Sequence, residues 1–292
     1  MAKKLSEIKF QAPSSIEEAL VLISSEDNAR IVAGNTLLNE LGKRNLLGEV
    51  DTFVDISQLP LRFVDRDSET GEIKIGALST FTQLLNEPLI NNPELIALKQ
   101  ALSYVRPVQV RNAATIGGCI GAGMPFLDVP VALLCLDAKI NVLTNSRSGN
   151  LLEYSSLCST LSGGISSGQL ITEVRLPSLE TGTHSRYTRF STTGLGEAVV
   201  NVAVMIIPDN DFRLKHASIA VGGSGVDMGR MKETEALLAG QKVEPPIIEQ
   251  AVDSIVEEVQ VTSDLNGSAD FKKRILATSF QSVLASLGSL GT

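Results

Sequence analysis

Gln109-Val-Arg-Asn-Ala-Ala-Thr-Ile-Gly-Gly-Cys-Ile-Gly-Ala-Gly123, followed five residues on by Asp128, is the stretch on which the reading of this chain turns. Gly117, Gly118, Gly121 and Gly123 let backbone approach a bound molecule closely, Thr115 offers a hydroxyl, and Asp128 can accept hydrogen bonds from ligand hydroxyls. The same residues also read as a glycine-rich turn region in which Asp128 caps a helix that begins near Pro130. Between Arg106 and Pro130 no apolar period is sustained, which predicts a long structured loop or a set of turns. Loops of that length inside a compact domain are more often functional than ornamental.

Upstream, Ile31-Val-Ala-Gly-Asn-Thr-Leu-Leu38 has the pattern of a strand that turns through Gly34 into a helix. Such a turn leaves backbone N–H groups unpaired and directed at one spot, where an anion such as a pyrophosphate can sit. It also fits an ordinary strand-to-helix turn, and it is not the G-x-G-x-x-G fingerprint of a nicotinamide site. Ser14-Ser15-Ile16-Glu17-Glu18 resembles a capping box for a helix over about 15–25. A strand over Ala29–Ala33, a helix over Leu37–Leu47 stopped by Gly48, and a strand over Phe53–Ile56 follow. Leu61–Val64 and Ile73–Ile75 read as a hairpin about Asp67-Ser-Glu-Thr-Gly71.

Downstream, the pattern is mostly helical over 81–102; after Asp128-Val-Pro130 comes an apolar run to Leu136, and then Ala138–Leu143 and Ile171–Leu176 alternate like strands. The polar run Ser178-Leu-Glu-Thr-Gly-Thr183 marks a domain boundary. Beyond it, Ala198–Ile207 and Arg213–Val221 read as antiparallel strands joined at Pro208-Asp-Asn-Asp211. Helices are predicted near 232–239, 246–259 and 268–287. Phe271, Ile275, Leu276, Phe280, Val283, Leu284 and Leu287 form the core-facing stripe of the last.

Composition narrows the chemistry. The chain has 292 residues, enough for two domains or one large one. Its 25 Lys and Arg against 33 Asp and Glu give a formal charge of -8, which offers no net basic field to nucleic acid. No apolar run approaches a membrane span of roughly 18–20 residues, and the start lacks the apolar run of a secretory signal. A cytoplasmic protein is expected. Three scattered cysteines, Cys119, Cys135 and Cys158, with two histidines supply no zinc or iron–sulfur ligand set, so no metal site is expected on this chain. Cys135 lies in an apolar run and reads as a core residue.

Taken together, Ala33-Gly-Asn-Thr36, Arg111-Asn-Ala-Ala-Thr-Ile-Gly-Gly118 and Asp128-Val-Pro-Val-Ala-Leu-Leu134 resemble the FAD-binding (medium) subunit of molybdenum hydroxylases of the carbon monoxide dehydrogenase and xanthine dehydrogenase type. The likeness continues through Gln169-Leu-Ile-Thr-Glu-Val-Arg-Leu-Pro177, Val221-Gly-Gly223 with Arg230, and Asp264-Leu-Asn-Gly-Ser-Ala-Asp-Phe-Lys-Lys273, in the order the family has.

The resemblance implies an α+β chain. A vanillyl-alcohol-oxidase (PCMH)-type FAD-binding fold of two α/β subdomains would occupy 1–177, with a subdomain boundary near 57–62. A C-terminal domain with a small antiparallel sheet and helices would occupy 182–292. By the same resemblance, Val32, Ala33, Gly34, Asn35, Thr36, Leu37 and Leu38, with Thr115, Ile116, Gly117, Gly118 and Cys119, wrap the FAD pyrophosphate. Asp128 holds the ribityl or ribose region, Leu170 stands beside the cofactor, and Arg189 matches a lysine near the flavin. Arg186-Tyr-Thr-Arg189 also reads as a solvated strand end.

An iron–sulfur small subunit carrying two [2Fe-2S] clusters and a large molybdopterin subunit are the implied partners, two copies of each of the three chains. Electrons would pass through FAD to NAD, a quinone or oxygen, with no acid–base pair on this chain. Leu37 stands where many bacterial relatives have Asp, and Cys119 replaces the usual Asn, which removes an amide that donates and accepts. Ser191-Thr-Thr-Gly194 replaces a basic segment. Two alternatives follow: a scaffold subunit without tightly bound FAD, and a stand-alone flavin oxidoreductase of the same fold.

Overall fold

Ser15 sits in extended backbone, and its hydroxyl accepts from the Glu18 amide at 3.1 Å, which starts helix α1 (Ile16–Ser25). The Glu18 carboxylate turns back to the amide and hydroxyl of Ser14, one residue earlier than a capping box requires. The chain is described from a computed structural model over residues 8–26, 28–44, 46–105, 107–144, 150–154, 156, 168–194 and 196–289. Cys158 lies outside them.

Two units are assembled from interleaved stretches of chain. The first comprises Met1–Leu84, Val108–Gly123 and Lys139–Arg175. The second comprises Leu85–Pro107, Met124–Ala138 and Leu176–Thr292.

In the first unit, β1 (Lys9–Gln11), β2 (Ala29–Val32) and β3 (Thr52–Asp55) form a parallel sheet in the order β1-β3-β2. Parallel neighbours need crossovers, which α1 and α2 (Thr36–Lys43) supply. Ala19, Leu20 and Ile23 of α1 are buried with Val54, Ile56, Leu59 and Leu78. Helix α2 ends at Lys43, short of the Leu47 that its apolar spacing predicts. Gly42 weakens its last turn, and the Leu46 amide is already bonded to the Leu41 carbonyl.

The second sheet of this unit has strand order β4-β5-β8-β6-β7, with β4 (Val64–Arg66), β5 (Ile73–Gly76), β6 (Lys139–Leu143), β7 (Asn150–Glu153) and β8 (Leu170–Leu176). The expected hairpin is there, Val64 opposite Ile75, and its turn closes where Asp67 accepts from the amides of Glu69 and Thr70.

The mostly helical stretch over 81–102 is there, divided into two helices by short turns. Pro88 and Pro93 each open a short 3-10 turn between α3 (Phe81–Asn86) and α4 (Ile96–Tyr104). The glycine-rich stretch that reads as loop contains two helices of six residues each, α5 (Val108–Ala113) and α6 (Ile116–Gly121), too short to leave an apolar period.

The second unit centres on an antiparallel sheet of order β12-β11-β10-β9 among the described residues. Its strands are β9 (His184–Phe190), β10 (Val200–Pro208), β11 (Leu214–Gly223) and β12 (Val226–Arg230). β9 is an edge strand, and polar groups from the α4 region occupy it. The Ser185 hydroxyl donates to the Glu94 carbonyl and accepts from the Ala97 amide, and Gln100 accepts from the Tyr187 amide. Helix α7 (Asp128–Cys135) packs against β10 and β11. Cys135 is fully buried there, its thiol hydrogen-bonded to the Ser218 carbonyl and pushed up by burial to about 12. That environment makes it an inert core residue.

Helices α8 (Lys232–Leu238), α9 (Pro245–Glu258) and α10 (Ala269–Gly288) complete this unit. The α10 stripe enters the core as the sequence pattern predicts: Leu276, Phe280, Val283, Leu284 and Leu287 are buried, with Phe271 and Ile275 at its margin. At the start of α10 the wholly buried Lys272 ammonium satisfies its three donors on the carbonyls of Ser224 and Thr262 and on Asp264, tying the 262–267 turn to the β11–β12 connection.

Phe280→Ala should lower unfolding free energy by about 3–5 kcal/mol, since a fully buried ring is lost, and urea denaturation reads this directly. Burial alone would raise the Asp264 carboxyl, but hydrogen bonds from Lys272 and Ser224 outweigh it and leave the group below its ordinary value. A depressed carboxylate stabilises the fold above its unfolded-state pKa and loses that contribution as pH falls through its folded-state value. Asp264→Asn should therefore be less stable than the parent at neutral pH, with the gap narrowing between about pH 5 and pH 2 in urea midpoints.

Candidate functional site

In the first unit the strand β2 leads through Ala33 and Gly34 to Asn35, whose φ of 56° places it in the left-handed region at the start of α2. Asn35 makes no side-chain cap, and the amides of Gly34, Asn35, Thr36, Leu37 and Leu38 meet no acceptor among the described residues. Consecutive unpaired N–H groups around a left-handed turn at a helix N-terminus form an anion-binding concavity, reinforced by the helix dipole. Leu37 can offer only its backbone amide there.

Gly34 is required by packing. A Cβ at this position would lie 1.8 Å from the Ala113 carbonyl oxygen, so the 32–38 turn and the 113–119 segment touch backbone to backbone. The sequence-predicted loops are thus brought together in one unit. Their chemistry differs, however. At the start of α6 the amides are already engaged: Ile116 with the Ser79 carbonyl, Gly117 with Ala77, Gly118 with the Thr115 hydroxyl and Cys119 with the Thr115 carbonyl. Gly117 and Gly118 also stand where a Cβ would fall within 3 Å of Ala77 and of the Thr115 hydroxyl, respectively. The first loop offers donors, and the second offers close-approaching backbone and the half-buried Cys119.

Leu170, also in the first unit, opens β8 opposite Leu143 and is 1% exposed within the cluster of Leu20, Val54 and Leu78. It is an apolar wall rather than an exposed contact.

Asp128 and Arg189 belong to the second unit, and they meet each other. Asp128 is the first residue of α7, which begins two residues before the expected Pro130 start. Its carboxylate does not cap that helix. Oδ2 accepts from Arg189 Nη1 at 2.9 Å, and Oδ1 accepts from the Tyr187 hydroxyl at 2.5 Å. Arg189 Nη2 donates to the Gly196 carbonyl, and its guanidinium carbon lies 5.7 Å from the centroid of the Tyr104 ring. Tyr104 and Tyr187 pack edge to face. The Asp128 and Arg189 side chains are 6% and 9% exposed, so the solvated strand-end reading of Arg189 does not hold.

Burial pushes the Asp128 carboxyl up from its ordinary value against the pull of Arg189 and Tyr187. The Tyr187 phenol is driven well above its own by burial and by the carboxylate beside it, so it remains a donor. Sequence reasoning missed Tyr187, Tyr104 and Gln100. The one available signal was the i, i+2 spacing of Tyr187 and Arg189, which puts both on one face of a strand. Among the described residues no group of three metal-ligating side chains occurs, and no helix is long and apolar enough to cross a membrane.

A family model described as the FAD binding domain in molybdopterin dehydrogenase matches residues 6–179, and one described as the CO dehydrogenase flavoprotein C-terminal domain matches 187–287. The chain is 26% identical over 289 residues to the nicotine 6-hydroxylase medium subunit of Paenarthrobacter nicotinovorans, covering 98% of this chain and 99% of that one. It is 24% identical over 266 residues to the carbon monoxide dehydrogenase medium chain of Hydrogenophaga pseudoflava, covering 90% and 91%. Among solved structures, a chain of reconstituted CO dehydrogenase from Oligotropha carboxidovorans shares the fold with a TM-score of 0.88 at 20% identity over 99% of each chain.

Gly34→Ala should destabilise the chain by at least about 1–3 kcal/mol, because backbone rather than a flexible side chain must yield. Gly229→Ala, which meets nothing within 4 Å, is the control and should leave the thermal midpoint nearly unchanged.

Proposed function

The chain belongs to the FAD-binding medium subunits of the molybdenum hydroxylase family, and from that premise we propose that it carries electrons from [2Fe-2S] clusters on a partner chain, through FAD, to NAD, a quinone or oxygen. The observation that carries the reading is the row of unpaired amides from Gly34 to Leu38, which suits the doubly charged pyrophosphate of a dinucleotide. Bound FAD supplies the redox chemistry, accepting electrons singly or in pairs.

The residues of this chain supply position and charge. Gly34, Asn35, Thr36, Leu37 and Leu38 hold the pyrophosphate through backbone donors, and Val32 and Ala33 lead the strand into that turn. Thr115, Ile116, Gly117, Gly118 and Cys119 bring backbone close beside it, and Leu170 contributes an apolar wall. Asp128 accepts from a cofactor hydroxyl, and Arg189 belongs to the set with it. On this reading residues 1–177 are the FAD domain and 182–292 a C-terminal domain. The partners are an iron–sulfur small subunit and a molybdopterin large subunit, two copies of each of the three chains, in the cytoplasm. Substrate oxidation belongs to the molybdopterin chain.

The test is an ultraviolet–visible spectrum of the purified chain before and after incubation with FAD and desalting. Flavin bands at near one FAD per chain are expected. A folded chain that holds no flavin, alone or with its partner chains, overturns the assignment and leaves a scaffold role.

A further inference from the structure

Arg189 enters the cofactor set by its position along the chain, yet its surroundings assign it a different task. One guanidinium nitrogen donates to Asp128 and another to the Gly196 carbonyl, one face lies towards the Tyr104 ring, and only 9% of the side chain is exposed. Little of it remains to meet a ligand. Tyr187, two residues earlier on the same face of β9, donates to the other oxygen of the same carboxylate. Its own position is fixed through its amide by Gln100 and by the edge of Tyr104.

We propose that Tyr187 and Arg189 are positioning residues that clamp the two oxygens of Asp128, and that Arg189 serves the cofactor solely through that carboxylate. This rests on the reading of Asp128 as an acceptor for FAD. A carboxylate oxygen has two acceptor sites, so each oxygen of Asp128 keeps one site after the clamp has taken the other. A carboxylate on the first turn of a helix otherwise has only its own backbone amide and water to hold it, and neither fixes both oxygens. Two donors from one rigid strand remove that freedom, which is what a fixed contact requires. Arg189 also supplies the positive charge that favours the anion in a site where burial disfavours it.

The experiment measures FAD affinity of the flavin-free full-length chain by fluorescence titration. The variants are Asp128→Asn, Tyr187→Phe, Arg189→Gln, Arg189→Lys and the pair Asp128→Asn with Arg189→Gln, each checked for folding by circular dichroism. Asp128→Asn should weaken binding about tenfold, and Tyr187→Phe and Arg189→Gln each by roughly threefold to tenfold, while the double variant stays within about twofold of Asp128→Asn. Arg189→Lys, which keeps a cation beside Asp128, should recover part of the affinity lost in Arg189→Gln. If Arg189→Gln weakens FAD as much in the Asp128→Asn background as in the parent, Arg189 touches the cofactor and the clamp is wrong. Wild-type affinity in every variant would overturn the Asp128 assignment together with the clamp, while leaving the FAD reading intact. Where Arg189→Gln alone does not fold, Arg189→Lys with and without Asp128→Asn makes the same comparison.

Discussion

A carboxylate withdrawn from water must be answered by protons or cations, and at Asp128 that demand organises three elements at once. The group sits at the head of α7, and its answers come from Tyr187 and Arg189 on β9 and, through them, from Gln100 and Tyr104 on α4. Tyr187, Arg189 and Gln100 could not be exchanged singly for apolar residues without leaving a buried polar group unmatched, which costs about 1–3 kcal/mol for a neutral group and more for an ion. The edge of the β9–β12 sheet is closed by the same neighbourhood, since Ser185 and Tyr187 present backbone and hydroxyl groups to 94–100.

The cluster around Gly34 in the first unit and the cluster around Asp128 in the second work by different physics. Around Gly34 the chemistry belongs to the backbone: unpaired amides, a left-handed Asn35, and an approach to Ala113 that excludes a Cβ. Around Asp128 it belongs to side chains of opposite charge in a dry setting. The first kind tolerates variation in side chain, because its donors are backbone amides. The second does not, because each partner is defined by its charge and reach.

Much of this is legible in the sequence. Alternation and apolar stripes located the 73–76, 170–176 and 200–223 strands and the α10 core face, because half-buried elements must carry their period in the sequence. The Gly34 turn announced itself through a glycine between a strand and a helix. What the sequence concealed has equally physical reasons. Helices α5 and α6 are too short for a period to register, and α2 stops early at a glycine within its own pattern. The pairing of Asp128 with Arg189 spans 61 residues, and no local signal encodes a contact of that range.

That separation bears on how the chain is made. Helix α7 leaves the ribosome 61 residues ahead of the arginine that will neutralise its carboxylate, an interval of roughly 3–12 s at the usual rate of synthesis. During it the apolar surface of Val129–Leu136 has no sheet to lie on. The second unit, gathered from Leu85–Pro107, Met124–Ala138 and Leu176–Thr292, cannot close until its last helix is released. Closure of this unit therefore waits on α10, whose buried stripe completes its core.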